Sequence, residues 1–280
     1  MAKLFENVLL VCDMDGTLLD SSDKISLENK AAMQYFVDNG GSLSIATGRK
    51  ETSVAPYLHD LPINAPAILY NGSIIYDFDQ NLVLWEKSLE DALEELLLRI
   101  YNDFKEVGLE IYKDNDILLI RRNSYTEFHR QKEPYLDKEH VLTELELPWR
   151  KVLFAAEPDE LTKVEAYINS YFNKLNIVTD NMPFRMCRSE RFFLEWLPIG
   201  VSKGNALEVL KQQFGYKEYS IVTVGNETND LEMLCSPYVG FAVENAHPEA
   251  KEVAMHMCSH HDYHAIANVI EWLESVYNRK

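Results

Sequence analysis

Asp13 and Asp15 stand two positions apart in Val11-Cys12-Asp13-Met14-Asp15-Gly16-Thr17-Leu18-Leu19, where a short apolar run stops and a glycine permits a turn. Two carboxylates so placed invite a cation. Asn7 to Cys12 is mostly apolar and too short for a helix with a face of its own, so it fits a buried parallel strand. The pair then lies at the carboxyl end of that strand, the edge of an open α/β sheet where ligands bind beside helix N-termini and loops. Three further polar sites recur at comparable places: Thr47-Gly48-Arg49, Ser202-Lys203, and Asn226 to Asp230. Lys203 is informative by its awkward position, because a cation in the first turn of a helix opposes the macrodipole unless an anion lies nearby.

The elements that must hold these residues follow β–α–β grammar. Ser26 can cap a helix through Met33, Phe36 and Val37 that Gly40-Gly41 ends, and Ser42 to Ala46 then runs as a strand toward Thr47. Ala67 to Tyr70 is another short strand ending at Asn71-Gly72, followed by a hairpin within Ser73 to Trp85. Ser88 to Val107 reads as a long helix with Ser88 and Asp91 at capping-box spacing and Gly108 as its stop. Hairpin, strand and helix signals then alternate: 109–121, Lys151 to Ala156, Pro158 to Asn173, Ile177 to Thr179 and Phe184 to Cys187. They suggest an α+β insert. The α/β pattern resumes near Phe192. Phe193 to Leu197 and Ser220 to Val224 are strands, Lys203 to Phe214 is a helix capped by Ser202, Val239 to Val243 is the last clear core strand, and Ala265 to Tyr277 is the closing helix. These boundaries place a core domain at 1–84 and 190–280 and an inserted domain at 85–189.

Composition limits the function. The 280 residues suffice for two domains, and 46% hydrophobic with 26% charged residues describe a globular chain. No stretch approaches a membrane span and the N-terminus lacks a signal-peptide pattern, so a cytoplasmic location is expected. A net charge of −18 argues against nucleic acid or an anionic membrane as partner. It leaves room for a small phosphorylated ligand held locally by backbone N–H groups and a metal. Cys12, Cys187, Cys235 and Cys258 are widely spaced without a CxxC pair and read as reduced core residues.

The segments DMDGTLLD, IATGR, GVSKGNAL and GNETND resemble, in order and spacing, the four motifs of the haloacid dehalogenase superfamily, and the insert resembles the type IIB cap of its Cof-like phosphatases. The resemblance implies an α/β fold, a Rossmann-like core with a parallel sheet, plus an inserted α+β cap. It also implies Mg²⁺-dependent hydrolysis of a small phosphomonoester, such as a sugar phosphate. In such a site Asp13 is nucleophile and metal ligand, and Asp15 is the acid/base whose carbonyl also meets the metal. Thr47, Gly48 and Met14 bind phosphoryl oxygens, Lys203 balances the charge, Arg49, Asn71 and Asn229 assist substrate binding, and Asn226 and Asp230 complete the metal site. Within the insert, Tyr112, Arg121, Arg122 and His129 are the candidates for substrate contact.

Two features depart from the family pattern. Its fourth motif usually opens Gly-Asp, whereas this chain has Asn226, a neutral oxygen ligand that weakens affinity for a hard cation. That substitution keeps open a silent ligand-binding regulator, and a phosphomutase of the same superfamily stays open because sequence alone does not distinguish the acceptor of the phosphoryl group. The second departure is His256-Met257-Cys258-Ser259-His260-His261-Asp262-Tyr263-His264. Four histidines in nine residues raise a transition-metal site. Adjacent histidines point apart in most backbones, however, and a polar loop capped by Asp262 accounts for the segment.

Overall fold

Val8–Cys12 (β1) is buried at every position, and Ser26, whose hydroxyl accepts from the Asn29 N–H at 3.2 Å, opens the helix Leu27–Asp38 (α1). The computed structural model of the chain describes residues 3–89, 94–133, 138–177 and 181–278. Ser42–Ile45 (β2), Glu51–Val54 (α2), Ala67–Leu69 (β3), Ile74–Asp77 (β4) and Leu82–Glu86 (β5) complete the first stretch. The middle holds Glu94–Asp103 (α3), Gly108–Lys113 (β6), Asp116–Arg121 (β7), Ser124–Lys132 (α4), Lys151–Ala155 (β8), Pro158–Lys174 (α5), Phe184–Glu190 (β9) and Phe193–Pro198 (β10). Lys203–Gln213 (α6), Ser220–Gly225 (β11), Leu231–Leu234 (α7), Val239–Val243 (β12), Pro248–Val253 (α8), His256–Cys258 (β13) and Ala265–Tyr277 (α9) follow. The chain divides into two units, Met1–Glu86 with Ser202–Lys280, and Lys87–Val201.

In the first unit, β13-β12-β11-β1-β2 form a wholly parallel sheet. Its register puts Cys12 opposite both Ile45 and Val224, so the chain leaves β1, β2 and β11 side by side at one edge. Parallel strands deliver their carboxyl ends together, and this edge carries Asp13, Thr47 and Asn226. The hydroxyls inside these strands are satisfied: Ser44 donates to the Pro66 carbonyl and Thr223 to that of Met233, both at 2.7 Å. Helix α1 packs on α9, and α6 on α7. Strands β3, β4 and β5 pair antiparallel as a separate small sheet.

In the second unit, β7-β6-β8-β10-β9 form an antiparallel sheet. One set of alternating residues, Leu109, Ile111, Val152, Phe154, Leu194 and Trp196, packs with Leu97 and Ile100 of α3 and Leu161, Val164, Ile168 and Phe172 of α5. The alternate set buries charge. Lys151 donates to Glu195 at 2.9 Å, Ser189 to the same oxygen at 2.7 Å, and His129 of α4 lies 2.7 Å from Glu110.

Several sequence expectations change. Phe193 to Leu197 is a strand, but it pairs antiparallel with β8 and β9 inside the second unit, so that unit runs to Val201 rather than ending at 189. Helix α3 ends at Asp103 because Arg121 donates to the Tyr101 and Phe104 carbonyls, taking over its C-terminal acceptors. Gly108 opens β6 instead of stopping that helix. A Cβ there would sit 2.6 Å from the Asn123 side chain, which caps α4. Asp91 and Thr179 lie outside the described residues. β13 is an additional edge strand beyond Val239 to Val243. None of the four cysteines forms a disulfide.

Candidate active site

The segment after β1 makes one wide turn, Met14 to Leu18, closed by the Leu19 N–H donating to the Met14 carbonyl at 2.9 Å. Gly16 enables it: its φ is 72°, and a Cβ there would meet the Asn226 amide at 2.7 Å. The turn projects Asp13 and Asp15 differently. Asp13 is buried, whereas the Asp15 side chain keeps 24% exposure.

Lys203 comes to Asp13 from the start of α6, which Ser202 caps by accepting from the Asn205 N–H at 3.0 Å. Its Nζ donates to Asp13 Oδ1 at 2.6 Å and to Asp230 Oδ1 at 2.7 Å. Burial opposes the charged lysine, but the two carboxylates outweigh it and hold its pKa above the ordinary range. Burial also pushes the Asp13 carboxyl up, against the pull of Lys203. Asp230 is fully engaged, because its Oδ2 accepts from the N–H groups of Asn226 at 2.9 Å and Glu227 at 3.0 Å. Of the two roles open to Asp230, ligand or support, these bonds favour support.

Asn226 sits at the end of β11. The amide orientation that satisfies its neighbours turns Nδ2 inward, donating to Asp13 Oδ2 at 2.9 Å, the Asp15 carbonyl at 3.2 Å and Thr17 Oγ1 at 3.0 Å. One side-chain amide thus reaches the Asp13 carboxylate and the Asp15 carbonyl at once. Turned over, it presents an oxygen to the same place. The atoms then facing that place are all hard oxygens, the donor type that suits a hard divalent cation.

Around this centre the other expected residues assemble. Arg49 grips Asp15 with Nε to Oδ2 at 2.9 Å and Nη2 to Oδ1 at 2.7 Å. Thr47, fully buried after β2, accepts from the Arg49 N–H at 3.2 Å, and its carbonyl accepts from the Asn71 N–H at 2.9 Å. Asn71 accepts from Asn229 at 3.0 Å, and Gly48 lies against the Asn71 amide. The Met14 side chain is buried, leaving its backbone as the contributing part. Asn245, after β12, is an addition that sequence reasoning missed. It donates to the Gly16 carbonyl at 2.8 Å and accepts from the His261 N–H at 3.1 Å. Its place just beyond a parallel strand's carboxyl end was the available signal. Within the insert, Arg121 donates to a carbonyl at the end of α3, Arg122 pairs with Glu127, and Tyr112 lies 3.2 Å from buried His129.

Residues 10–270 match the family model for haloacid dehalogenase-like hydrolases, and the chain belongs to that family. It is 28% identical over 285 residues to an HMP-PP phosphatase of Serratia proteamaculans, covering 96% of each chain. It is 26% identical over 296 residues to the 5-amino-6-(5-phospho-D-ribitylamino)uracil phosphatase YwtE of Bacillus subtilis, covering 95% of this chain and 98% of that one. A crystal structure of a haloacid dehalogenase-like hydrolase from Bacteroides thetaiotaomicron superposes with a TM-score of 0.80 at 24% identity, covering 96% of this chain and all of the other, 100%. No helix among the described residues is long and apolar enough to cross a membrane.

Proposed function

We propose that this chain hydrolyses a small phosphomonoester through an aspartyl-phosphate on Asp13. The observation that carries the reading is the buried Lys203 bridge to Asp13 and Asp230 beside the convergence of Asp13, the Asp15 carbonyl and Asn226. Relatives named as phosphatases of small phosphorylated compounds support the reaction class.

Asp13 attacks phosphorus as Asp15 gives its proton to the departing alcohol oxygen, so the phosphoryl group passes to the carboxylate. Asp15, now ionised, accepts a proton from water, and the hydroxide displaces phosphate and regenerates Asp13. Lys203 offsets charge on Asp13, while Thr47 and the N–H groups of Met14 and Gly48 receive phosphoryl oxygens. Asn71 and Asn229 order that loop, and Arg49 positions Asp15. The donor set fits Mg²⁺, which would be held by the Asp13 carboxylate, the Asp15 carbonyl and the Asn226 amide oxygen with Asp230 in support. When bound it supplies positive charge against the phosphoryl oxygens.

Phosphate release from a panel of phosphomonoesters with magnesium tests this, beside Asp13→Asn and Asn226→Asp. Hydrolysis that vanishes in the first variant and rises in the second is expected. Absence of turnover in the parent and in Asn226→Asp would overturn the reading, and isomerised sugar phosphates would replace it with a mutase.

A further inference from the structure

The four histidines near the C-terminus separate into different environments. His256 packs its ring 4.9 Å from both Phe241 and Trp272, and His264, at φ 61°, lies 3.4 Å from Glu28. His260 and His261, by contrast, sit side by side with ring centroids 4.6 Å apart and planes inclined by 36°. Sequence reasoning expected adjacent histidines to point apart. The tight turn His261–Tyr263 that follows β13 brings them together, with His260 accepting from the Asp262 N–H at its head.

Asp262 joins them. One ligand atom from each of the three residues lies within 4.8 Å of the others, with His260 Nδ1 3.6 Å and His261 Nε2 3.9 Å from Asp262 Oδ2. Ligands sharing a tetrahedral ion at bond lengths of about 2.0–2.1 Å are about 3.3 Å apart, so small side-chain rotations close the set. The tautomer of His261 suits a metal. His261 Nδ1 is 2.8 Å from the Leu19 carbonyl, which only accepts, so Nδ1 carries the proton and Nε2 presents its lone pair on the Asp262 side. An imidazole fixed through its far nitrogen by a carbonyl is the usual support for a metal-binding histidine. His260 Nδ1 accepts from the Asp262 N–H at 3.2 Å, a long bond that a metal at this atom replaces.

Asp262 is held just as firmly. Its Oδ1 accepts from the Ser21 N–H at 2.7 Å and its Oδ2 from the Ser21 hydroxyl at 2.8 Å, bonds that keep its carboxyl below the usual range. Side-chain exposures of 31%, 13% and 35% for His260, His261 and Asp262 leave room for water to complete the coordination.

We propose that His260, His261 and Asp262 bind a transition-metal dication of the zinc type, tying the Leu19–Ser21 turn to the connection between β13 and α9. Two imidazoles and one carboxylate select Zn²⁺ over Mg²⁺, which favours all-oxygen ligands. The site is separate from the oxygen donors around Asp13 and stands whether or not the hydrolytic reading does.

Zinc binding is measured by competition with a chromogenic chelator in excess magnesium, on the full chain carrying Asp13→Asn so that the first centre does not compete. One equivalent of zinc is expected, weakened at least tenfold by His261→Ala or His260→Ala and about tenfold by Ser21→Ala, a change of a supporting group. His260 is partly exposed, so its variant is expected to keep the parent's circular dichroism. Zinc should raise the melting temperature of the parent and not of the histidine variants. Equal zinc affinity in the parent and both histidine variants would overturn the proposal, as would no binding beyond that of magnesium.

Discussion

Arg49 holds both carboxylate oxygens of Asp15, at 2.7 and 2.9 Å, in the forked geometry that only a guanidinium offers. That fork engages both Asp15 oxygens as a carboxylate and leaves no place for a proton, so the acid role proposed for Asp15 requires an incoming phosphoryl group to draw the guanidinium away.

Asp15→Asn should therefore depend on the leaving group. For alkyl phosphates, whose departing oxygen needs a proton, kcat/KM is expected to fall by about 10²–10⁴. For p-nitrophenyl phosphate, whose leaving group departs unprotonated, the first step should suffer far less. Values of kcat/KM on the two substrate types, which report the step that releases the alcohol and not the later hydrolysis of the aspartyl-phosphate, make the comparison. Arg49→Lys keeps the charge but not the fork, and should lower kcat/KM on alkyl phosphates about tenfold.

Lys203 neutralises two buried carboxylates at once, so Lys203→Met strands both. A loss of about 3–5 kcal/mol in unfolding free energy is expected from urea titration. Adding Asp13→Asn to that variant should recover part of the loss, since one of the stranded charges is then removed.

Asn226 already bonds the Asp13 carboxylate and the Asp15 carbonyl through its amide. Asn226→Asp replaces that donor by a third acceptor. In EDTA the variant should melt below the parent, and added magnesium should reverse the order, because the extra charge then has a cation to meet. Melting curves with and without magnesium decide this.

The second unit should show its own pH dependence. Burial works against a charged His129, but Glu110 at 2.7 Å, helped by Glu133, overrides it and raises the histidine's pKa. Stability from this pair is therefore complete below the ordinary histidine value, about 6.5, and fades as pH rises through the elevated one. Melting midpoints should decline as pH rises past the ordinary histidine value, and His129→Gln should flatten that decline.

The residues of the candidate site were legible because each follows a short apolar run or opens a capped helix, and a parallel sheet carries such positions to one edge. Asp13, Thr47, Lys203 and Asn226 meet on that logic. The limit of the inserted unit was not legible. Phe193–Pro198 has the composition of any buried strand, and nothing local distinguishes a partner running antiparallel at β8 from a parallel one. His256–Cys258 is too short to carry a pattern, and Asn245 acts through a carbonyl 229 positions away. The environment of the histidine cluster was equally hidden, since its supports come from Leu19 and Ser21 at the other end of the chain.

The register of β1 also bears on how the chain is made. β1 lies between β2 and β11, and Lys203 and Asp230 reach Asp13 across the whole of the insert. During synthesis the first 86 residues emerge long before the strand and cation they require, with the β11 edge of β1 unpaired. The second unit, whose sheet is drawn from one continuous stretch, has all its strands by Pro198 and can fold while the first still waits. The first unit, although it holds the N-terminus, has the residues of β11 only once residue 225 has emerged, later than the second unit has its whole sheet.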